Sequence, residues 1–243
     1  MYSLPKLLLL ILLTVCCTCA AAKTRVLIFS KTAGFHHKSI APGIAAIQVL
    51  GKQNGFDTDT ITDAGKFTYA NLKKYAAVIF LNTTGNVLDD VQQAAFQKYI
   101  RSGKGFVGVH AATDTEFDWP WYGQLAGAYF SDHPKVQQAM LQVVEPVNVF
   151  TQHLPAQWTK TDEWYNFKWI SDKLHVVLTV EESSYTGGKN GAKHPISWYQ
   201  EFDGGRAFTT ALGHTDESYT DPLFLQHLLA GIKYAAGKYK AVN

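Results

Sequence analysis

Cysteine is nearly absent from this chain of 243 residues: there are three, Cys16, Cys17 and Cys19, all within the first 22 residues. Charge is sparse too, at 17% with a formal net of +2, and the Lys and Arg are scattered. That leaves no basic face of the kind a nucleic-acid partner requires. There is no H-E-x-x-H, no G-x-S-x-G and no P-loop, so zincin-type proteolysis, nucleophile-elbow hydrolysis and phosphate cradling have no motif to rest on. No Pro- or Ser-rich linker interrupts the chain, and the composition excludes disorder, collagen-like repeats and a coiled coil.

The first 22 residues differ from the rest. Met1 to Lys6 carries one Lys, Leu7 to Val15 is almost unbroken Leu and Ile, and Ala20-Ala21-Ala22 offers an A-x-A exit. These are the three parts of a secretory signal. The apolar run is shorter than the roughly 20 residues a membrane span needs. Residues 1–22 are therefore expected to be a cleaved signal peptide, and residues 23–243 a single secreted or periplasmic domain with no membrane span. A lipid anchor on Cys17 or Cys19 is the lesser alternative, because Cys and Thr are poor neighbours before Cys19. After cleavage no thiol remains, so there is no disulfide, no Cys-based zinc site and no Cys nucleophile. Chemistry must come from His, carboxylates, hydroxyls or a bound metal.

What the chain does have is apolar: 47% hydrophobic residues, with six Trp, twelve Tyr and fourteen Phe. Arg25 to Ser30, Phe56 to Ile61, Ala76 to Leu81 and Gly105 to His110 read as strands, the third buried on both faces by its continuous apolar run. Ile40, Ile44, Ile47 and Leu50 recur at helical spacing before an Asn54-Gly55 stop, and Leu88, Val91, Ala95 and Tyr99 mark a second helix. This rhythm predicts an α/β fold, a doubly wound and mostly parallel sheet with helices on both faces. The second half is richer in strands, at Val136 to Val144, His175 to Val180, Ile196 to Phe202 and Arg206 to Leu212. A last helix runs from the Asp221 N-cap and Pro222 to Gly237. Glu182 to Lys193 reads as a flexible surface loop.

Two motifs mislead. Gly103 to Gly108 matches G-x-G-x-x-G, but it follows a helix and enters a strand, the reverse of a dinucleotide site. Asn82-Thr83-Thr84 is a glycosylation sequon at a strand end.

In open parallel sheets ligands bind beyond the carboxyl ends of the strands. Three of the nine His fall there: His36 after the first strand, His110 after the fourth, and His214 after the strand ending at Leu212. They are expected to share a cleft and to act as catalytic residues or as ligands of a divalent metal, zinc or manganese. His37 is expected to face solvent or to back the site, and His175 and His227 to be structural. Asp114 and Glu163 are the carboxylates expected to orient an imidazole or a sugar hydroxyl. Trp119, Trp121, Tyr122, Trp164 and Tyr165 stand beside acids, a pairing that suits the apolar faces and hydroxyls of sugars. Half or more of the Trp are expected in the core.

These blocks resemble the ThuA-like family, named for trehalose utilisation: GFHHKSI at Gly34 to Ile40, GKGFVGVHAATDT at Gly103 to Thr115, WPWYGQLAGAYFSDHP at Trp119 to Pro134, TDEWYNF at Thr161 to Phe167 and GRAFTTALGHTDESY at Gly205 to Tyr219. The resemblance spans nearly all of the chain after the signal. It implies a variant of the class I glutamine amidotransferase fold, which is flavodoxin-like, and a place in carbohydrate metabolism. Amidotransferases put a nucleophilic Cys on the tight strand-to-helix turn, whereas here His110 stands at that elbow, so thiolate hydrolysis of glutamine is excluded. The expected activity is acid/base or metal-assisted chemistry on a sugar or keto-glycoside. The alternatives are a noncatalytic carbohydrate-binding protein and a partner of a sugar-oxidising enzyme.

Overall fold

The structure is a computed structural model and describes residues 23–239; the expected signal peptide, with all three cysteines, lies outside the described residues. The chain opens with β1 (Thr24–Phe29), α1 (Ile40–Asn54), β2 (Phe56–Ile61), the short α2 (Tyr69–Leu72), β3 (Ala77–Leu81), α3 (Asp90–Arg101) and β4 (Gly105–Val109). Then come α4 (Pro120–Ala126), β5 (Ala128–Asp132), β6 (Gln137–Val143), β7 (Gln157–Asp162), β8 (Asn166–Ile170), β9 (His175–Val180), β10 (Pro195–Phe202), β11 (Gly205–Thr210) and α5 (Pro222–Ala235). One nine-stranded sheet has the order β2-β1-β3-β4-β11-β10-β9-β6-β7, and β5 pairs with β8 separately. From β2 to β11 every pairing is parallel. From β11 to β7 every pairing is antiparallel. The α/β, flavodoxin-like expectation holds, with the parallel character confined to the first part of the sheet.

The alternation of side chains along each strand splits the core between the two faces. Val26 and Ile28 of β1 pack with Ile47 and Leu50 of α1 and with Phe224, Leu228 and Ile232 of α5. Leu27 and Phe29 pack on the other face with Phe96, Tyr99 and Ile100 of α3 and with Tyr122 and Leu125 of α4. Each of these side chains contributes roughly 1.5–3 kcal/mol by leaving water. Helix ends follow the sequence signals. Gly55 closes α1 in the left-handed region, Asp89 and Gln92 form a capping box on α3, and Asp221 caps α5 with Pro222 at its start.

The glycine motif has a packing role. A Cβ on Gly105 would lie 2.0 Å from the Ala235 carbonyl oxygen, so the end of α5 sits directly against the first residue of β4. The sequon Asn82 is fully buried, with its amide nitrogen donating to Ser39 Oγ at 2.9 Å. The loop from Glu182 to Lys193 is tied down rather than loose. The Glu182 carboxylate accepts from the backbone of Asn190 and Gly191, and the Asn190 side chain pairs with the backbone of Phe167. Among the described residues no helix is long and apolar enough to cross a membrane.

Candidate active site

Strands β1, β4 and β11 run in one direction. Two successive antiparallel pairings bring β9 back to that direction, and two more do the same for β7. The carboxyl ends of β1, β4, β7 and β11 therefore share one edge of the sheet. His37 follows β1, His110 follows β4, Glu163 follows β7 and His214 follows β11. One donor atom from each of these four residues lies within 4.8 Å of the others. His37, His110 and Glu163 are buried and His214 is half-buried.

His110 stands at the elbow with φ at +48°, a conformation few non-glycine residues adopt and one that tends to mark functional sites. The chain then turns into a 3-10 segment, His110 to Asp114, rather than an α-helix. Nδ1 of His110 lies 2.9 Å from the Ala211 carbonyl oxygen. A carbonyl only accepts, so Nδ1 carries the hydrogen and the neutral ring turns the bare Nε2 into the cluster. That Nε2 is 3.3 Å from His214 Nδ1 and 3.4 Å from Glu163 Oε2. The third side of the triangle, His214 Nδ1 to Glu163 Oε2, is 3.1 Å. Ligand atoms bound tetrahedrally at 2.0–2.1 Å lie about 3.3 Å apart, so the three separations match the edges of such a site. Nδ1 of His37 is buried without a hydrogen-bond partner. A second-sphere carbonyl that fixes the imidazole tautomer is the usual companion of a metal-binding His. The donor set fits a divalent ion.

The shifts of His37 and Glu163 agree with that fit. Burial, followed by the neighbouring His110 and His214, pushes His37 down to about 3, which keeps it in the neutral form that ligates. Burial works against the Glu163 charge, but its close contacts with His110 and His214 outweigh it and hold the carboxyl well below the usual carboxylate range. Burial also lowers His214, yet its contacts with Glu163 prevail and its net shift is upward. Asp114 goes the other way, pushed up by burial to about 6 and only partly restrained by His110 and Lys168.

A cavity of about 260 Å³ opens onto the cluster. His37, Asp114, His133, Glu163 and His214 make its polar side, and Phe35, Phe130 and Tyr165 its aromatic side. The Tyr165 ring lies 4.2 Å from both His110 and Phe130. His133 Nδ1 is 3.1 Å from Glu163 Oε1, and its side chain is 41% exposed. A larger depression of about 670 Å³ along β2, lined by Arg25, Lys52, Asp57 and Asp59, has Arg25 paired with Asp59 and Asp57 with Lys23 and gathers no such donors.

Of the expected metal ligands, His110 and His214 converge and His36 does not. His36 is exposed, with Nδ1 3.2 Å from Thr32 Oγ1, and His37, expected to be peripheral, takes its place. Consecutive side chains in an irregular loop diverge, so only one of the two can face inward. Glu163, expected as a catalytic carboxylate that orients an imidazole or a sugar hydroxyl, is itself one of the four donors. Among the expected sugar-stacking aromatics, only Tyr165 lines the cavity. Trp119, Trp121 and Tyr122 pack together as core on the α3 and α4 face, with Trp119 and Trp121 stacked at 5.0 Å. Trp164 is fully buried and donates to the Gln137 carbonyl. His227 is structural as expected, buried between the Phe150 carbonyl and the Ser197 hydroxyl. Sequence reasoning does not reach Phe35, Phe130 and His133; the run YFSDHP carries two of them but has no spacing that marks a site.

The sequence matches the family model for ThuA, trehalose utilisation, over residues 25–235. The chain belongs to the ThuA family. A ThuA-like protein of Bacteroides uniformis is 25% identical with a TM-score of 0.75, covering 87% of this chain and 91% of the other. A ThuA-like protein of Parabacteroides merdae is 19% identical with a TM-score of 0.76, covering 88% and 90%. A GMP synthase component from Thermoplasma acidophilum shares the fold at 11% identity and a TM-score of 0.51, over 86% and 94%. No curated protein matches. The ThuA assignment and the amidotransferase-like fold expected from the sequence both stand, and the elbow His110 is where this ThuA chain departs from a thiol nucleophile.

Proposed function

We propose that this ThuA-family chain is an enzyme acting on a small sugar, a keto-glycoside, through acid/base chemistry at a divalent-metal site formed by His37, His110, Glu163 and His214. The observation that carries the reading is the triangle of 3.1–3.4 Å between His110, Glu163 and His214, closed by a tautomer-fixed imidazole. The metal, when bound, supplies positive charge that polarises a carbonyl oxygen and acidifies the neighbouring C–H. His110 has both nitrogens engaged, so the proton is moved by Asp114, whose upward shift to about 6 suits a base near neutral pH. Loss of the C–H proton to Asp114 leaves an electron pair that expels the glycosidic oxygen from the next carbon. The proton returns from Asp114 to that oxygen, and water adding across the new double bond completes hydrolysis. Tyr165 and Phe130 offer faces for the apolar side of the ring. The cavity lies just below the roughly 300–1,000 Å³ of typical small-molecule pockets, a volume for one sugar unit rather than a polymer. The reading includes export after cleavage before Lys23, which the mass of the protein recovered from the native host tests.

The deciding experiment loads the purified protein with zinc or manganese and follows turnover of a keto-disaccharide beside sugar binding. The expected result is metal-dependent turnover that His110→Ala abolishes while sugar binding persists. Sugar binding with no turnover at any metal loading, and an affinity change as the only effect of His110→Ala, refutes the enzyme and leaves a binding protein.

A further inference from the structure

Glu163 and His214 follow strands that are not neighbours: β10, β9 and β6 lie between β11 and β7. In a flat sheet with strands about 4.8 Å apart, those strand ends would sit roughly 19 Å from each other. The two side chains nevertheless approach to 3.1 Å. Between their backbones lies the Asp162 carboxylate, fully buried. Its Oδ1 accepts from the backbone N–H of Glu163 at 2.9 Å and from that of His214 at 3.0 Å. Its Oδ2 accepts from the backbone N–H of Gly213 at 3.0 Å and from the Ser218 hydroxyl at 3.2 Å. The nearest cation, Lys160 Nζ, stands 4.0 Å away and is shared with Asp221. Gly213, at φ +112°, turns the chain so that two successive N–H groups converge, a concavity of the kind that binds anions. Here an internal carboxylate fills it.

We propose that Asp162 is a positioning residue: one of its oxygens, shared by the amides of Glu163 and His214, sets the distance between those two donors before any ion or sugar arrives. The proposal rests on the metal-site reading for its functional consequence and on hydrogen bonds alone for its structural one. Four donors converge on two oxygens, and only a carboxylate accepts at both. An amide at this position turns an NH2 group against N–H donors, and buried donors left without an acceptor are costly. Asp162 itself touches neither the cavity nor the four-atom cluster.

The test compares wild type, Asp162→Asn and Ser218→Ala by metal titration against a chelating indicator, by the absorption spectrum of the Co(II) form, and by amide exchange of the metal-free proteins. Asp162→Asn is expected to weaken zinc binding about 10–100-fold, the usual cost of losing an outer-sphere partner. It also alters the Co(II) spectrum and frees the amides of residues 163, 213 and 214. Ser218→Ala, which removes one donor and keeps the shared oxygen, stays within about twofold of wild type in affinity, by the same comparison. Wild-type affinity and spectrum in a folded Asp162→Asn protein overturn the proposal, as does an equal loss in Ser218→Ala. If Asp162→Asn does not fold, exchange in the metal-free wild type decides. Protection at 163, 213 and 214 supports the proposal, and protection that appears only after metal is added overturns it. A wild type that binds no metal refutes the metal-site reading, while exchange in wild type and Asp162→Asn still decides the role of Asp162.

Discussion

His227, on α5 and fully buried, offers the most direct quantitative test of how this fold sorts its histidines. Burial, helped by His153 and opposed by the bond to the Phe150 carbonyl, pulls it from 6.5 down to about 4. The ring stays neutral in the folded protein at pH values where it is already protonated in the unfolded chain. Below pH 6.5 the unfolded state therefore binds more protons, and folding stability falls as pH falls. The loss builds from about pH 6.5 and is complete once the pH is below about 4, where both states are protonated. A displacement from 6.5 to about 4 amounts to roughly 3 kcal/mol at 1.36 kcal/mol per pH unit. That is a large part of the roughly 5–15 kcal/mol by which a domain is folded. His227→Gln keeps hydrogen-bonding groups toward Phe150 and Ser197 and removes the titration. Urea unfolding of both proteins at pH 7.0 and pH 4.5 gives the comparison, because every other titrating group cancels in the difference. Wild type should lose about 2–3 kcal/mol more than the variant over that interval. Equal losses would refute the account of a neutral, desolvated imidazole.

Other substitutions probe the site and the frame that holds it. His37→Ala should weaken zinc or manganese binding at least about tenfold by calorimetry, while His36→Ala stays within about twofold, since only His37 joins the cluster. Asp114→Asn should remove an acid limb of kcat/KM near pH 6 and lower its plateau; wild-type kcat/KM should fall about tenfold from that plateau by pH 5, because a base with a pKa of about 6 is lost as it protonates. Gly105→Ala, with its Cβ driven against Ala235, should destabilise the fold by about 1–3 kcal/mol or more in denaturant melts. Trp121→Leu should lower the melting temperature and leave sugar affinity unchanged, because that indole packs against Trp119 and Phe96 on the α4 face rather than in the cavity.

Much of the frame is legible because β1, β3, β4, β9 and β10 each carry a short apolar run, and because the helices carry start and stop signals in their residues. Strand β7 escapes sequence reasoning for a physical reason. Its inward positions are Trp158, Lys160 and Asp162, so the apolar alternation that marks a half-buried strand is replaced by a buried ion pair. With β7 hidden, Glu163 has no strand end to follow, and the rule that finds His110 and His214 does not reach it. The exchange of His36 for His37 has a similar origin: no periodicity governs an irregular loop, so which neighbour turns inward depends on packing. The aromatic clusters mislead because Trp beside Asp looks the same in a line of text whether the ring stacks on a ligand or on another indole. Trp121 does donate to a carboxylate, that of Asp203 at 2.7 Å, but far from the cavity.

The order of strands in the sheet bears on how the molecule is made. β11, which joins the parallel part to the antiparallel part, comes after every other strand among the described residues, and His214 follows it. A ribosome that has released only the first 200 residues has produced both edges of the sheet and nothing to join them. A nascent fragment that stops short of His214 cannot display the completed four-residue cluster, so the site takes shape only once β11 has joined the two parts of the sheet.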